Sequence, residues 1–152
     1  MDKSRRVVVT GIGNVTSLGA NVAQSFNNLC NGVSGIRFMT KEDGPDWEDF
    51  PYPTAAPVHP DFNKELILER YPHVNTPGAY AISALEEALE DSNFKPETEK
   101  ERNRTGVVCS MVHGPYLEGE AMMRKYHDSG KTKIDPNYYY IEHNVFMLHT
   151  AA

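Results

Sequence analysis

No apolar run in this 152-residue chain comes close to the eighteen or so residues that a membrane-crossing helix needs, so a spanning helix is excluded at the outset. An excess of positive charge is missing too. Fifteen Lys and Arg stand against 21 Asp and Glu, the net charge is -6, and no basic stripe gathers in any segment. A nucleic-acid partner would need such a footprint and is excluded with it. Cysteine is scarce: Cys30 and Cys109 alone make no disulfide framework, and both read as reduced thiols within regular structure. The start, Met1-Asp2-Lys3-Ser4-Arg5-Arg6, lacks the apolar core of a secretory signal and is too short for a transit peptide. The chain therefore reads as soluble and without a targeting segment. What is present, 39% hydrophobic and 24% charged residues, suffices for one domain with a core of its own.

Two stretches carry the signature of strands buried on both faces. Residues 6–10 contain three consecutive valines and end at Gly11 and Gly13; residues 105–110 run Thr-Gly-Val-Val-Cys-Ser. Between and beyond them, apolar residues recur at helical spacing. Val22, Phe26, Leu29 and Cys30 predict a helix over 21–31 with Gly32 as its stop. Ala79, Ala81, Ile82, Ala84, Leu85, Ala88 and Leu89 predict a second, with Glu86, Glu87, Glu90 and Asp91 as its wet face.

A short helix over 63–70, another over 116–127 closed by Ser129-Gly130, and a last amphipathic segment complete the pattern. Residues 32–63 hold Gly35, Gly44 and five prolines, too many breakers for long elements. They predict a surface excursion with residues 42–49 solvated and Trp47 tucked against the body. Strands separated by helices predict an α/β domain, its sheet parallel, mostly buried and covered by helices on both faces.

The motifs are most informative where they fail. Gly11-Ile12-Gly13-Asn14-Val15 begins like a dinucleotide fingerprint, but Thr16 stands where the third glycine belongs, and residues 26–39 hold no acidic group for a ribose. Lys followed by Ser or Thr at phosphate-loop spacing is missing as well, so the glycines read as a turn off a buried strand. The six histidines form neither H-E-x-x-H nor a Cys/His pair at ligand spacing, so neither metal nor cofactor is expected. Cys109 has no basic neighbour in sequence to activate it, and Ser110 and Ser129 lack the elbow of a hydrolase serine. The residues by themselves describe a scaffold without a self-contained catalytic set.

"RRVVVTGIGNVTSLG", beginning at Arg5, resembles the first strand and turn of the 3-oxoacyl-(acyl carrier protein) synthases, the condensing enzymes of fatty acid synthesis, with Ser17 in place of their usual proline. The similarity continues in order along the chain. "GVSGI" from Gly32 resembles the family's G-x-S-G-I. "AISALEEALEDSNF" from Ala81 resembles the helix that ends in the family's D-S-G, with Asn93 in place of glycine. "RTGVVCSMVHGP" from Arg104 and "KIDPNYYYIEHNVFMLH" from Lys133 resemble the strand, loop and closing segment that follow.

The resemblance implies a thiolase-like fold, the N-terminal part of its first half, with residues 1–152 an incomplete beta-ketoacyl synthase N-terminal domain. It implies acyl carrier protein and acyl and malonyl thioesters as partners, a homodimer, no cofactor, and a cytoplasmic or mitochondrial location. Met111, Val112 and His113 are expected to line the acyl pocket. Tyr138, Tyr139, Tyr140, Phe146 and His149 are expected at the subunit contact. The family's nucleophile cysteine follows the segment matching His149, so no catalytic residue is assigned here, and the chain alone is expected to be inactive. Ser110 and Val112 depart from family glycines, and bulkier side chains fill 144–149, where the family has a small-residue run. Polyketide ketosynthases and their chain-length partner subunits share this N-terminal pattern; a non-catalytic dimerisation module is the reading outside enzymes.

Overall fold

The fold is that of a computed structural model, which describes residues 6–44, 47, 49–72, 74–108 and 116–130. The chain divides into two units, Met1–Asn63 with Ala81–Lys95, and Lys64–Tyr80 with Pro96–Ala152.

The first unit begins with a correction. Residues 6–10 form no strand, and Val7 is 93% exposed. A strand needs neighbours to take its N–H and C=O groups, and none of the described residues forms a ladder with this run. The turn of residues 11–20 follows, and then α1, Val22–Cys30. Asn21 starts α1 from extended backbone, its side-chain oxygen accepting the Gln24 N–H at 2.8 Å. Gly32 ends it with φ at +69°: its N–H reaches Leu29 O at 3.1 Å, and the Val33 N–H reaches Asn28 O at 3.0 Å. That pair of bonds is a Schellman stop, and the positive φ is why glycine sits there.

The proline-rich excursion carries one antiparallel ladder, β1 (Arg37–Phe38) on β2 (Thr54–Ala55), with Arg37 opposite Ala55. It is the only sheet among the described residues, two strands of two residues each. The expected parallel, buried sheet is therefore not formed by the described residues. Inside the loop, a 3-10 turn spans Lys41–Asp43. Trp47 is half-buried against Phe50 of its own loop, ring centres 5.5 Å apart.

α3, Thr76–Ser92, is the longest element; its residues 76–80 belong to the second unit and 81–92 to the first. Asn75 starts it, accepting the Gly78 N–H at 2.9 Å. Asn93 ends it at φ +50°, with the Asn93 N–H on Glu90 O at 3.0 Å and the Phe94 N–H on Leu89 O at 3.2 Å. This is the same stop that closes α1, made with asparagine.

The second unit holds α2 (Glu65–Arg70), α4 (Glu99–Arg102) and α5 (Tyr116–Asp128). Thr98 and Glu101 cap α4 reciprocally, which holds the Glu101 carboxyl below its usual range, chiefly through the Thr98 N–H. In α5, Arg124 binds Glu120 one turn back at 2.7 Å, and Gly130 follows at φ +61°. Residues 105–108 repeat the correction of the first unit: they form no strand, and Val108 is 97% exposed. Residues 109 and 110 lie outside the described residues, as does the last amphipathic segment. Among the described residues the buried apolar side chains are Ile67, Ala79 and Ile82.

Candidate functional site

The turn that resembled a phosphate cradle is held by carboxylates. Glu87 and Asp91 stand one helical turn apart on α3, and both reach backbone N–H groups of the first thirty residues. Glu87 accepts from Asn14 at 3.0 Å with one oxygen and from Val22, at the first turn of α1, at 2.8 Å with the other. Asp91 accepts from Ile12 at 2.9 Å. These three donors are committed to α3, and the charges holding them are negative. A phosphate arriving at this turn would meet two carboxylates where it needs free N–H groups.

Of the expected wet face of α3, Glu90 and Asp91 are exposed, while Glu87 is half-buried and turned to the loop it holds. Helical periodicity marks which residues share a face but not what lies opposite. The available signal was a pair of acids four apart, beside the small residues Ala84, Ala88 and Ser92.

Those small residues explain the glycines. A side chain at Gly11 would collide with the Ala88 carbonyl and the Ser92 side chain, and one at Gly13 with the Ala84 carbonyl. Both glycines have ordinary negative φ values, so what they supply is close approach of backbone to helix, not backbone freedom.

Thr16, the residue that broke the fingerprint, is the polar hub of the turn. Its hydroxyl accepts the N–H groups of Leu18 at 3.1 Å and Gly19 at 3.2 Å and lies 2.9 Å from the Ser25 hydroxyl. Ser25, 7% exposed on the inner side of α1, donates to the Asn14 side-chain oxygen at 3.0 Å. Either hydroxyl can supply the proton between them, since Thr16 also reaches Gly19 O at 3.5 Å. Asn28 donates to Leu18 O at 2.7 Å, and the His59 N–H reaches Thr16 O at 3.0 Å, tying the excursion to the turn. Gln24 accepts from Ala20 and donates to Asp61 at 2.6 Å. The whole arrangement positions backbone; no hydroxyl is presented beside a base.

A separate charged contact lies in the excursion, where Arg37 grips Asp43 with two nitrogens. This guanidinium, and then the Thr40 N–H at 2.9 Å, hold the Asp43 carboxyl well below its usual range, and Arg37 is raised in turn. Asp43 is the ion-paired member of an acidic stretch whose described acids, Glu42, Asp43 and Asp49, are all exposed as expected.

The predicted pocket residues Met111, Val112 and His113 lie outside the described residues. So do Tyr138, Tyr139, Tyr140, Phe146 and His149 of the predicted subunit contact, and Cys109. Cys30 is a free thiol, exposed at the end of α1. Among the described residues no three His, Cys, Asp or Glu side chains are grouped to hold a metal ion. None of the helices there is long and apolar enough to cross a membrane.

The sequence pattern described as "Beta-ketoacyl synthase, N-terminal domain" matches residues 4–146, and the chain belongs to that family. It is 33% identical over 145 residues to the 3-oxoacyl-[acyl-carrier-protein] synthase, mitochondrial, of Arabidopsis thaliana, covering 80% of this chain and 31% of that one. With synthase 1 of Buchnera aphidicola it shares 27% over 133 residues, 88% of this chain and 30% of the other. A crystal structure of a beta-ketoacyl synthase from Burkholderia phymatum STM815 superposes with a TM-score of 0.68 at 28% identity, covering 92% of this chain and 35% of that one. The fold is accordingly thiolase-like, and the chain spans about a third of the length of the relatives it matches.

Proposed function

We propose that this chain furnishes the N-terminal part of a 3-oxoacyl-(acyl carrier protein) synthase and works only together with the further chain that its relatives possess. The observation that carries the reading is the family match over residues 4–146, which runs through every element described above. In this reading the valines at 7–9 and at 107–108 are strands of a mostly buried sheet that close once the neighbouring strands are supplied.

The reaction is decarboxylative Claisen condensation. A cysteine thiolate takes the acyl group from its thioester, and the malonyl thioester loses carbon dioxide to give an enolate. That enolate attacks the acyl carbonyl and expels the cysteine, leaving a 3-oxoacyl thioester. Those steps need an activated thiol, assisting histidines and an oxyanion hole, all carried by the remainder of the enzyme. This chain contributes Met111, Val112 and His113 to the acyl pocket, and Tyr138, Tyr139, Tyr140, Phe146 and His149 to the contact of a homodimer. Acyl carrier protein delivers both thioesters, and no cofactor takes part. Cytoplasm and mitochondrion are the two compartments to separate by fractionation.

The test is incubation of the purified 152-residue chain with acyl- and malonyl-acyl carrier protein, with products read by mass spectrometry. No 3-oxoacyl product is expected. A chimera in which this chain replaces the matched third of the Arabidopsis mitochondrial synthase is expected to form it. Product from the chain alone, or none from a folded chimera, overturns the reading.

A further inference from the structure

The stop of α1 is built on the one asparagine in this chain that a glycine follows, Asn31-Gly32. The pairing matters chemically. Asparagine is thermolabile because the backbone nitrogen of the next residue can attack its side-chain carbonyl carbon, and glycine, with no Cβ, leaves that approach open. Both residues are exposed, and a Cβ added at Gly32 would meet nothing within 4 Å. Water and hydroxide therefore reach the pair.

While the stop is wound, both reacting groups are occupied. The Gly32 N–H donates to Leu29 O at 3.1 Å, and the Asn31 side-chain amide donates to Asn27 O at 2.9 Å, which draws it back over the helix. Attack requires the Gly32 nitrogen to give up its proton and the Asn31 amide to swing toward it, so both bonds must open first. The last turn of a helix is where such opening is easiest. The chain's one Asp-Gly pair, Asp43-Gly44, is held differently. Arg37 and the Thr40 N–H keep the Asp43 carboxyl ionised, and an ionised carboxylate is a poor target for the Gly44 nitrogen.

We infer that Asn31 is a spontaneous deamidation site gated by the α1 stop, closed while the last turn is wound and reactive while it is open. In the reaction the Gly32 nitrogen loses its proton to hydroxide and bonds to the Asn31 side-chain carbonyl carbon. The bond from that carbon to Nδ2 breaks, and ammonia leaves with a proton from water, which restores the hydroxide. A further water opens the cyclic imide at either carbonyl, giving aspartate or isoaspartate.

The product cannot remake the stop. A carboxylate at residue 31 has no N–H for Asn27 O, and it places a negative charge at the negative end of the α1 dipole. It is also the first charge in residues 7–36, which hold no Asp, Glu, Lys or Arg. Isoaspartate adds a methylene to the backbone, which moves the Gly32 and Val33 N–H groups off their acceptors. Each opening that ends in reaction leaves α1 looser at its C-terminus for good.

The experiment follows deamidation at residue 31 in alkaline buffer by proteolysis and peptide mass spectrometry. It compares the 152-residue chain, the same chain unfolded in urea, and a peptide spanning residues 26–36. The peptide and the unfolded chain are expected to react fast, and the folded chain at least about tenfold slower. Asn21→Ala removes the cap that starts α1 without touching the reacting groups, and should speed the reaction about fivefold. Urea below the unfolding midpoint should speed it too, in step with the loss of helix by circular dichroism. A folded chain reacting at the peptide's rate would overturn the gating, and an inert peptide would overturn the site itself. If neither Asn21→Ala nor urea changes the rate while the peptide stays fast, the reaction does not pass through opening of α1 and the inference falls. Asn31→Asp, which carries the product's charge, is expected to lower the thermal midpoint. An unchanged midpoint would mean that the stop reforms around a carboxylate, against the inference.

Discussion

The valine run at residues 7–9 and the glycine turn at 11–19 are neighbours in sequence and opposites in structure. The turn is satisfied: the N–H groups of Ile12, Asn14, Leu18 and Gly19 have acceptors, and the Thr16 hydroxyl meets that of Ser25 on α1. The run is bare, with its side chains exposed and no ladder to it among the described residues. The difference lies in where the partners come from. A turn is completed by one helix, and α3 supplies that helix within the same unit. A strand buried on both faces is completed by two neighbouring strands and two layers of helices. The two regions should therefore respond to substitution in opposite ways.

The largest effect is expected at Gly13. Gly13→Val drives a branched side chain into the Ala84 carbonyl, and the turn must lift from α3 to admit it. Overpacking against backbone of this kind costs on the order of 3 kcal/mol. Urea unfolding of the 152-residue chain should show the loss as a lowered midpoint. A midpoint unchanged within error would mean that the close approach of turn to helix is not maintained.

Next in size is Glu87→Ala, which strips the acceptor from two N–H groups at once. Leaving them unpaired beside the helix costs about 2 kcal/mol. Asp91→Ala, with one N–H on an exposed acceptor, should cost roughly half as much. Equal effects of the two would break the picture of Glu87 as the joint between turn and α1. Hydrogen exchange at Asn14 and Val22 reads the same bonds directly, and both amides should exchange faster in Glu87→Ala.

The contrast also explains which parts were legible in the sequence. The starts and stops of α1 and α3 are written in a few residues: Asn21, Gly32 and Asn93 each act within a turn of their own position. Short-range signals of this kind need no knowledge of the rest of the fold. The valines have high strand propensity, but that propensity measures fit to a pleated, half-buried surface, and that surface is not built by the described residues, so residues 6–10 and 105–108 form no strand there. Glu87 departs from the expected wet face for a related reason. An acid at the edge of a helical stripe looks solvated until a loop some seventy residues away lays its N–H groups over it.

A smaller effect is expected at Asn93, where α3 stops in the left-handed region at φ +50°. Asn93→Ala places a residue there that tolerates it poorly, at a cost of about 1 kcal/mol. Asn93→Gly, which restores the family's residue at this position, should raise stability by a few tenths of a kcal/mol. Thermal unfolding of the two variants separates the cases by sign. A stabilising alanine would mean that the helix continues past Ser92 and that the stop is not fixed by φ.

The smallest effect in this chain is expected at Val8, and it becomes large only when the chain is completed. Val8→Ser removes two methyl groups from a side chain already mostly in water, so the 152-residue chain should unfold within about 0.5 kcal/mol of the parent. In the Arabidopsis chimera the same substitution acts on a buried strand. It then forfeits the burial of a valine, about 2 kcal/mol, and leaves a hydroxyl needing a partner. The quantity to measure is the difference between the two backgrounds, because propensity and denatured-state effects of the substitution are common to both and cancel. A difference near zero would put residues 7–9 at the surface of the complete enzyme as well. The turn and the run would then differ in kind, and adding the rest of the chain would not close the gap between them.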